Sequence, residues 1–177
     1  GDGEQALVAL LSGLPSHRVP GLIYRAGSDI RCNPRSCLRS LRGLPDPDYD
    51  HYFEVRHSHP ELRDRAISCY LPVELSRGCR HRCAFCNFTF ENPYRPRPSS
   101  QVAASMRRLA ERHRTNSFSL MALMIPPDQA ERLFGLLASH RIDYRIFCEA
   151  RAGLSRKQLE TMKRAGVTEV QTGLEAL

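Results

Sequence analysis

Three cysteines lie within eight residues of one another, and their spacing constrains the chain more than any other feature. Cys79, Cys83 and Cys86 form a C-x3-C-x2-C arrangement, with Phe85 directly before the third cysteine. Cysteines that only fill a core have no reason to cluster in this way. Because thiolates bind zinc and iron–sulfur clusters, the pattern predicts that the three sulfur atoms surround one metal centre.

The kind of centre depends on the number of ligands. A closed zinc site takes four protein ligands. His81 is a candidate for the fourth, although it lies inside the loop, where its backbone neighbours must already wrap the metal. A 4Fe–4S cluster held by three cysteines instead keeps one iron open to a substrate or cofactor, as a catalytic zinc site keeps one position open. The spacing alone leaves both interpretations standing.

The stretch from Leu75 to Phe90 resembles the radical S-adenosylmethionine (SAM) superfamily, in which this cysteine spacing and aromatic residue follow a short strand and Arg-Gly. The resemblance implies that Cys79, Cys83 and Cys86 ligate a 4Fe–4S cluster. It also places Phe85 beside the adenine of SAM. In that family the open iron chelates the amino and carboxylate groups of SAM, and one electron cleaves SAM into methionine and a 5′-deoxyadenosyl radical.

Length and composition fit one ordinary folded domain with room for a small appendage. The chain has 177 residues, of which 41% are hydrophobic, so disorder throughout is not expected. No apolar run approaches the ~20 residues that span a bilayer, and no signal segment opens the chain. A cytoplasmic protein is predicted, in which seven cysteines indicate metal or redox chemistry rather than disulfides.

The formal net charge of +7 raises the question of a polyanionic partner such as RNA. Almost all the positive side chains are arginines, spread along the chain among acidic residues rather than gathered with aromatics. Nucleic acid is therefore not the expected partner. Arg77, Arg80 and Arg82 flank the cysteines, where they would either favour a reduced, more negative centre or be solvated.

Downstream of residue 69, apolar strands alternate with amphipathic helices. Strands are predicted over residues 71–75, 118–125, 142–148 and 167–172, and helices over 101–114 (capped by Ser99 or Ser100), from Asp128, and from a Ser155–Gln158 capping box to Gly166. This order predicts an α/β fold with a parallel sheet. By resemblance, residues 69–177 form about four strand–helix units of the partial, TIM-like radical SAM barrel.

The carboxyl ends of parallel strands meet at one edge of a sheet, where reactive loops gather. The cysteine loop follows the first predicted strand, Glu149 and Arg151 follow the third, and Glu175 follows the fourth. These residues are therefore expected on one rim, independently of any family.

Residues 1–68 are predicted to form a linker region with a helix over residues 3–13 and a β-hairpin over 19–30. Cys32 and Cys37 follow the hairpin, and ordinary loop cysteines are favoured over a metal or redox pair. The segment at 44–50 is interpreted as a solvated acidic connector, because the glycine and distal glutamate of a calcium loop are absent. Three histidines after it are interpreted as surface residues: His51, His57 and His59.

A narrower resemblance is to cobalamin-dependent radical SAM enzymes, especially the group that matures ribosomally made peptides, often by methylating unactivated carbon. It rests on Gly-Asp-Gly-Glu before a helix, on Val-Pro-Gly-Leu-Ile-Tyr-Arg and Leu-Pro-Asp-Pro-Asp-Tyr-Asp, and on the later strand segments. By this resemblance, four residues are candidates for holding SAM: Glu149, Arg151, Gln171 and Glu175. A salt bridge or a strand-end cap is the alternative for each.

The same resemblance predicts that a cobalamin-binding domain precedes this chain, which lacks the Asp-x-His-x-x-Gly motif, and that the barrel is truncated at residue 177 or reduced. The implied reaction is cobalamin-dependent C-methylation of a peptide or secondary metabolite, with an electron donor such as flavodoxin or ferredoxin. Two departures are a shorter first cysteine spacer than in many peptide-maturing relatives and no polar side chain at the end of the 118–125 strand. The alternatives are an RNA-modifying methylthiotransferase and a non-catalytic zinc or iron–sulfur module.

Overall fold

A computed structural model of the chain describes residues 2–63, 69–81, 83–86 and 93–173, without the side chain of Arg63. In chain order its elements are α1 (Glu4–Leu11), a 3-10 turn (Ser16–Arg18), β1 (Ile23–Ala26), β2 (Asp29–Cys32), α2 (Asp50–Ser58), α3 (Pro60–Arg63), β3 (Leu71–Glu74), β4 (Ser76–Arg77), β5 (Arg95–Pro96), α4 (Ser99–His113), β6 (Ser117–Met121), α5 (Pro127–Ser139), β7 (Arg145–Arg151), α6 (Arg156–Arg164) and β8 (Val167–Gly173).

A four-stranded parallel sheet forms the centre of the fold, with the strands in the order β3-β6-β7-β8. The helices α4, α5 and α6 connect successive strands of this sheet. The predicted α/β fold, with four parallel strand units, is confirmed. The second strand is shorter than predicted, because β6 ends at Met121 and residues 122–126 continue as a loop to α5.

The two faces of the sheet differ because side chains alternate along each strand. One face packs against the helices and forms the core, as Val73, Leu120 and Cys148 show; these residues are neighbours across three strands. The opposite face is open and carries polar side chains near the strand ends. There Glu74 is paired in register with Met121, and Glu149 with Gln171.

The ends of the helices depend on particular residues. Ser155 and Gln158 form the predicted capping box at the start of α6. Gly166 follows this helix with φ of +89°, and a Cβ there would lie 2.2 Å from the carbonyl oxygen of Tyr144. The predicted serine cap of α4 is wrong, because Ser99 is already helical and Pro98 occupies the cap position without a side-chain hydrogen bond.

The first part of the chain contains the predicted helix and hairpin, with β1 and β2 antiparallel. The segment at 44–50, which ends at the first residue of α2, is not a merely solvated connector. Asp46 accepts hydrogen bonds from Ser105 and Arg108 of α4, and Asp50 pairs with Arg112 of the same helix. These ion pairs hold the segment against α4. The histidines at 51, 57 and 59 are exposed, as predicted.

The described helices are too short or too polar to cross a lipid bilayer.

Candidate active site

A cavity of about 420 Å³ lies between the cysteine loop and the carboxyl ends of β7 and β8. Seven of the eight residues singled out from the sequence line it: Cys79, Cys83, Phe85, Cys86, Glu149, Arg151 and Gln171. The eighth, Glu175, lies outside the described residues. The fold therefore brings together residues that are far apart in the chain.

The local backbone turns the cysteine loop sharply as it leaves β4. Gly78 has φ of +73°, a conformation that suits glycine, and Cys79 follows at once. The amide of Cys86 donates to the carbonyl of Cys83 at 3.0 Å, which closes a tight turn between these two cysteines. The amide of His81 lies 3.4 Å from Cys79 Sγ, where it can donate to a thiolate.

The donor set fits an iron–sulfur cluster. Three cysteine side chains line one cavity, and thiolates are the usual protein ligands of such clusters. From the cysteines the cavity continues to Glu149 and Gln171. In the ranges that the structure describes, no three Cys, His, Asp or Glu side chains are grouped so that they could hold a single metal ion.

Cys148 is not placed to be a fourth ligand. It is fully buried in the core, on the face of the sheet that packs against the helices. Burial, together with the neighbouring charge of Glu149, raises the pKa of its thiol to about 11. A thiol with such a pKa stays protonated at neutral pH, whereas metal ligation requires the thiolate.

The two strand-end residues of β7 occupy different positions. Glu149 is half-buried in the wall of the cavity, beside Gln171 in register. Arg151 is exposed at the end of the strand and donates to His81 Nδ1 across 3.4 Å. This contact joins the cysteine loop to β7. Phe85 is 71% exposed and also lines this cavity.

A second cavity, of about 710 Å³, adjoins the first, and both are lined by Leu123 and Glu149. Its outer wall includes Asp2, Gly3 and Glu4 from the first residues of the chain. Sequence reasoning missed these acidic residues as part of the site. The Gly-Asp-Gly-Glu stretch marks a junction in the resemblance, but nothing in its spacing indicates where its carboxylates bind.

Two of the arginines near the cysteines, Arg77 and Arg80, are neither uncompensated nor simply solvated. Arg77 is surrounded by carboxylates, and hydrogen bonds to Glu4 and then Glu74 raise the pKa of its guanidinium. Arg80 pairs with Asp128 at 3.2 Å, and its guanidinium carbon lies 4.6 Å from the centre of the Tyr94 ring. Arg82 is outside the described residues. The predicted electrostatic contribution of Arg77 and Arg80 is therefore largely offset by neighbouring acids.

The model of the Radical SAM superfamily matches residues 73–177, which include the cysteine loop and every strand of the parallel sheet except the start of β3. The match covers more than half of the chain. The chain therefore belongs to the radical SAM superfamily. No curated protein matches it.

Solved structures of the cobalamin-dependent SAM radical enzyme OxsB share the fold. The form with aqua-cobalamin and SAM bound aligns over 98% of this chain with a TM-score of 0.72 and 19% sequence identity. The form with aqua-cobalamin alone aligns with a TM-score of 0.72 and 18% identity, and the apo form with a TM-score of 0.71 and 18% identity. The chain spans 27% of the length of these proteins. At such identity the likeness is one of fold.

Proposed function

We propose that this radical SAM chain binds a 4Fe–4S cluster through Cys79, Cys83 and Cys86 and cleaves SAM reductively to give methionine and a 5′-deoxyadenosyl radical. We further propose that the radical initiates methylation of an unactivated carbon in a peptide or a secondary metabolite, with cobalamin as a second cofactor. The cobalamin would be held by another part of the protein.

One observation carries the first proposal. The three cysteines, Phe85 and three strand-end polar residues line a single cavity, although the cysteines and Gln171 are separated by most of the barrel sequence. The superfamily match supports the cofactor chemistry. When bound, the cluster supplies one electron and an open iron position.

The residues of the cavity have distinct roles in this proposal. The thiolates of the three cysteines hold the cluster. The exposed ring of Phe85 offers an apolar face against which an adenine can stack.

The polar residues at the strand ends bind the rest of SAM. The carboxylate of Glu149 and the amide of Gln171 accept hydrogen bonds from ammonium or hydroxyl groups of SAM. The guanidinium of Arg151 favours a negatively charged group such as the SAM carboxylate.

The use of cobalamin is supported by the fold. OxsB is described as cobalamin-dependent, and its fold matches 98% of this chain, including the residues before the parallel sheet. A peptide or small molecule is the proposed substrate, flavodoxin or ferredoxin the proposed electron donor, and the cytoplasm the proposed location.

Substitution of one cysteine tests the proposal. The chain and its Cys83→Ala variant would be reconstituted with iron and sulfide without oxygen, and iron content and 5′-deoxyadenosine release would be measured. Cys32→Ala is the matched control, because Cys32 is exposed in the hairpin. The wild type and the control should carry about four irons and cleave SAM, whereas Cys83→Ala should lose the cluster and the cleavage.

Two results would contradict this function. The first is full iron content and full SAM cleavage in Cys83→Ala. The second is a wild-type protein that binds zinc but no iron, which would indicate a non-catalytic zinc module.

A further inference from the structure

Arg77 stands two residues before Cys79 and is enclosed by three carboxylates. Its Nε donates to Glu74 at 2.6 Å, its Nη1 to Asp2 at 2.9 Å, and its Nη2 to Glu4 at 2.6 Å. The Arg77 side chain is only 22% exposed. An arginine held on three sides has little rotational freedom. The backbone of Arg77, directly before the cysteine loop, is therefore also restricted.

Asp2 extends this network to two further segments. Its carboxylate, 6% exposed, also pairs with Arg95 of β5, whose side chain is 7% exposed. It accepts a hydrogen bond from the amide of Leu38 at 2.6 Å, and Arg95 donates to the carbonyl of Leu38 at 2.8 Å. One buried carboxylate thus connects the first residues of the chain, the loop after the hairpin, β4 and β5.

The network acts where the backbone has few other restraints. The strand β4 is two residues long and is paired with β5 through Ser76–Pro96 and Arg77–Arg95. Both arginines of the second pair bind Asp2. Gly78, with its positive φ, comes next and leads directly to Cys79. The geometry of the cysteine loop at this end therefore depends on side-chain contacts more than on a long strand ladder.

The same segment also bounds the second cavity. Asp2, Gly3 and Glu4 line it together with Glu149, which faces the first cavity as well. If the segment moved away, one wall of the second cavity would open and Arg77 would lose two of its three carboxylate partners. Buried ionic networks are sensitive to such a change, because each charge left unpaired is costly.

We propose that Asp2 and Glu4 are positioning residues for the cysteine loop. By holding Arg77, they fix the backbone through Gly78 to Cys79 and keep the wall of the adjoining cavity in place. This inference rests on the proposed function only for the identity of the group that the cysteines bind.

Hydrogen exchange in the metal-free chain tests the positioning directly. The variants are Asp2→Asn, Glu4→Gln and their combination, with Asp2→Glu as the conservative change. Glu111→Gln is the matched control, because Glu111 forms an exposed ion pair with Arg107 within α4. In Asp2→Asn we expect amides of residues 76–81 to exchange at least about tenfold faster, because the hydrogen bonds from Arg77 and Arg95 lose their anionic acceptor. Amides of β6 and β7 should keep their rates.

The cluster-loaded protein provides the second readout. The Asp2→Asn variant should retain less iron after gel filtration and give a broadened or shifted electron paramagnetic resonance spectrum, and Asp2→Glu should restore part of both. Glu111→Gln should behave as the wild type throughout.

Two outcomes would overturn the inference. If exchange at 76–81 and the electron paramagnetic resonance spectrum are unchanged in the double variant, the network does not position the loop. If exchange accelerates in β6 and β7 as much as at 76–81, the network stabilises the whole fold instead of the loop. A wild-type chain that binds no cluster would contradict the proposed function, while the exchange comparison would still decide the role of Asp2 and Glu4.

Discussion

Arg151 at the carboxyl end of β7 contacts His81 in the cysteine loop, with 3.4 Å between Arg151 Nη1 and His81 Nδ1. A guanidinium only donates hydrogen bonds, so His81 accepts at Nδ1. Both residues line the cavity that holds the three cysteines. Arg151 is therefore close enough to the loop to act on a ligand bound beside it.

Replacing Arg151 by glutamine should weaken SAM binding. The substitution removes the positive charge at the cavity wall while keeping a polar side chain. We expect the dissociation constant for SAM to rise about tenfold, which corresponds to about 1.4 kcal/mol and to the loss of one charge-assisted hydrogen bond. Calorimetric titration of the cluster-loaded protein with SAM measures this change.

The control for this prediction is Arg156→Gln. Arg156 lies on α6 with a 94% exposed side chain and pairs with Glu160 one turn away. This variant should bind SAM as the wild type does. If Arg151→Gln binds SAM with unchanged affinity, Arg151 does not contact SAM and its role is limited to the His81 contact.

Gly166→Ala should destabilise the fold by more than about 2 kcal/mol, because the residue has positive φ and the added methyl would meet the backbone of Tyr144. Gly135→Ala is the matched control. Gly135 lies within α5 with nothing within 4 Å of a built Cβ, so alanine there should stabilise by about 0.5–1 kcal/mol. Urea unfolding measures both changes, and similar stabilities for the two variants would contradict the structure.

The Asp2 ion pairs should make stability depend on pH in the acid range. Burial would raise the pKa of this carboxyl, but hydrogen bonds from Arg95 and Arg77 outweigh it and lower the pKa from 3.8 to about 2. A lowered pKa in the folded state contributes stability above the unfolded pKa, and this contribution is lost as the pH falls through the folded pKa. Asp2 should therefore contribute about 2 kcal/mol to the local stability of this network near pH 6 and lose it between about pH 4 and about pH 2.

The measurement compares the free energies of local opening at residues 76–81, obtained from hydrogen exchange, in the wild type and Asp2→Asn from neutral to acid pH. The other carboxylates are shared by both proteins, so their titration largely cancels in the difference. The difference should shrink as the pH falls. A difference that stays constant with pH would mean that Asp2 is not held as an ionised carboxylate.

Alkylation by iodoacetamide should distinguish the exposed cysteines from the buried one. At pH 8 and without a cluster, Cys83 and Cys32 should react because both are exposed. Cys148 should stay unmodified, since it is buried and its pKa of about 11 leaves about one thiolate in a thousand. Mass spectrometry of labelled peptides measures this pattern.

Loading the cluster should change the labelling only of the cysteines that bind it. Labelling at Cys79, Cys83 and Cys86 should fall, whereas Cys32 should stay reactive. Continued labelling of Cys83 in protein that carries iron would place the cluster elsewhere.

The parallel sheet could be predicted because its signals are local. Alternating burial in β3, β6 and β7 follows from apolar residues at every second position, and the Ser155 capping box is visible in four consecutive residues. The cysteine loop and the strand-end residues follow from topology, since carboxyl ends of parallel strands share an edge. Such features depend on sequence neighbours or on a general rule of the fold.

The ionic contacts could not be predicted, because they join positions with no local relationship. Asp46 and Arg108 are 62 positions apart, and Asp2 and Arg95 are 93 apart. Arginines and acids are common throughout the chain, so composition does not indicate which of them pair. The sequence therefore predicts a solvated acidic segment at 44–50, although α4 supplies arginines to it in the folded chain.

The most direct test of the central claim is the electron paramagnetic resonance spectrum of the reduced, iron-loaded protein with and without SAM. A cluster held by Cys79, Cys83 and Cys86 with an open iron should give a reduced 4Fe–4S signal that shifts when SAM is added. A reduced cluster signal that SAM leaves unchanged would contradict the open iron beside the Glu149 cavity.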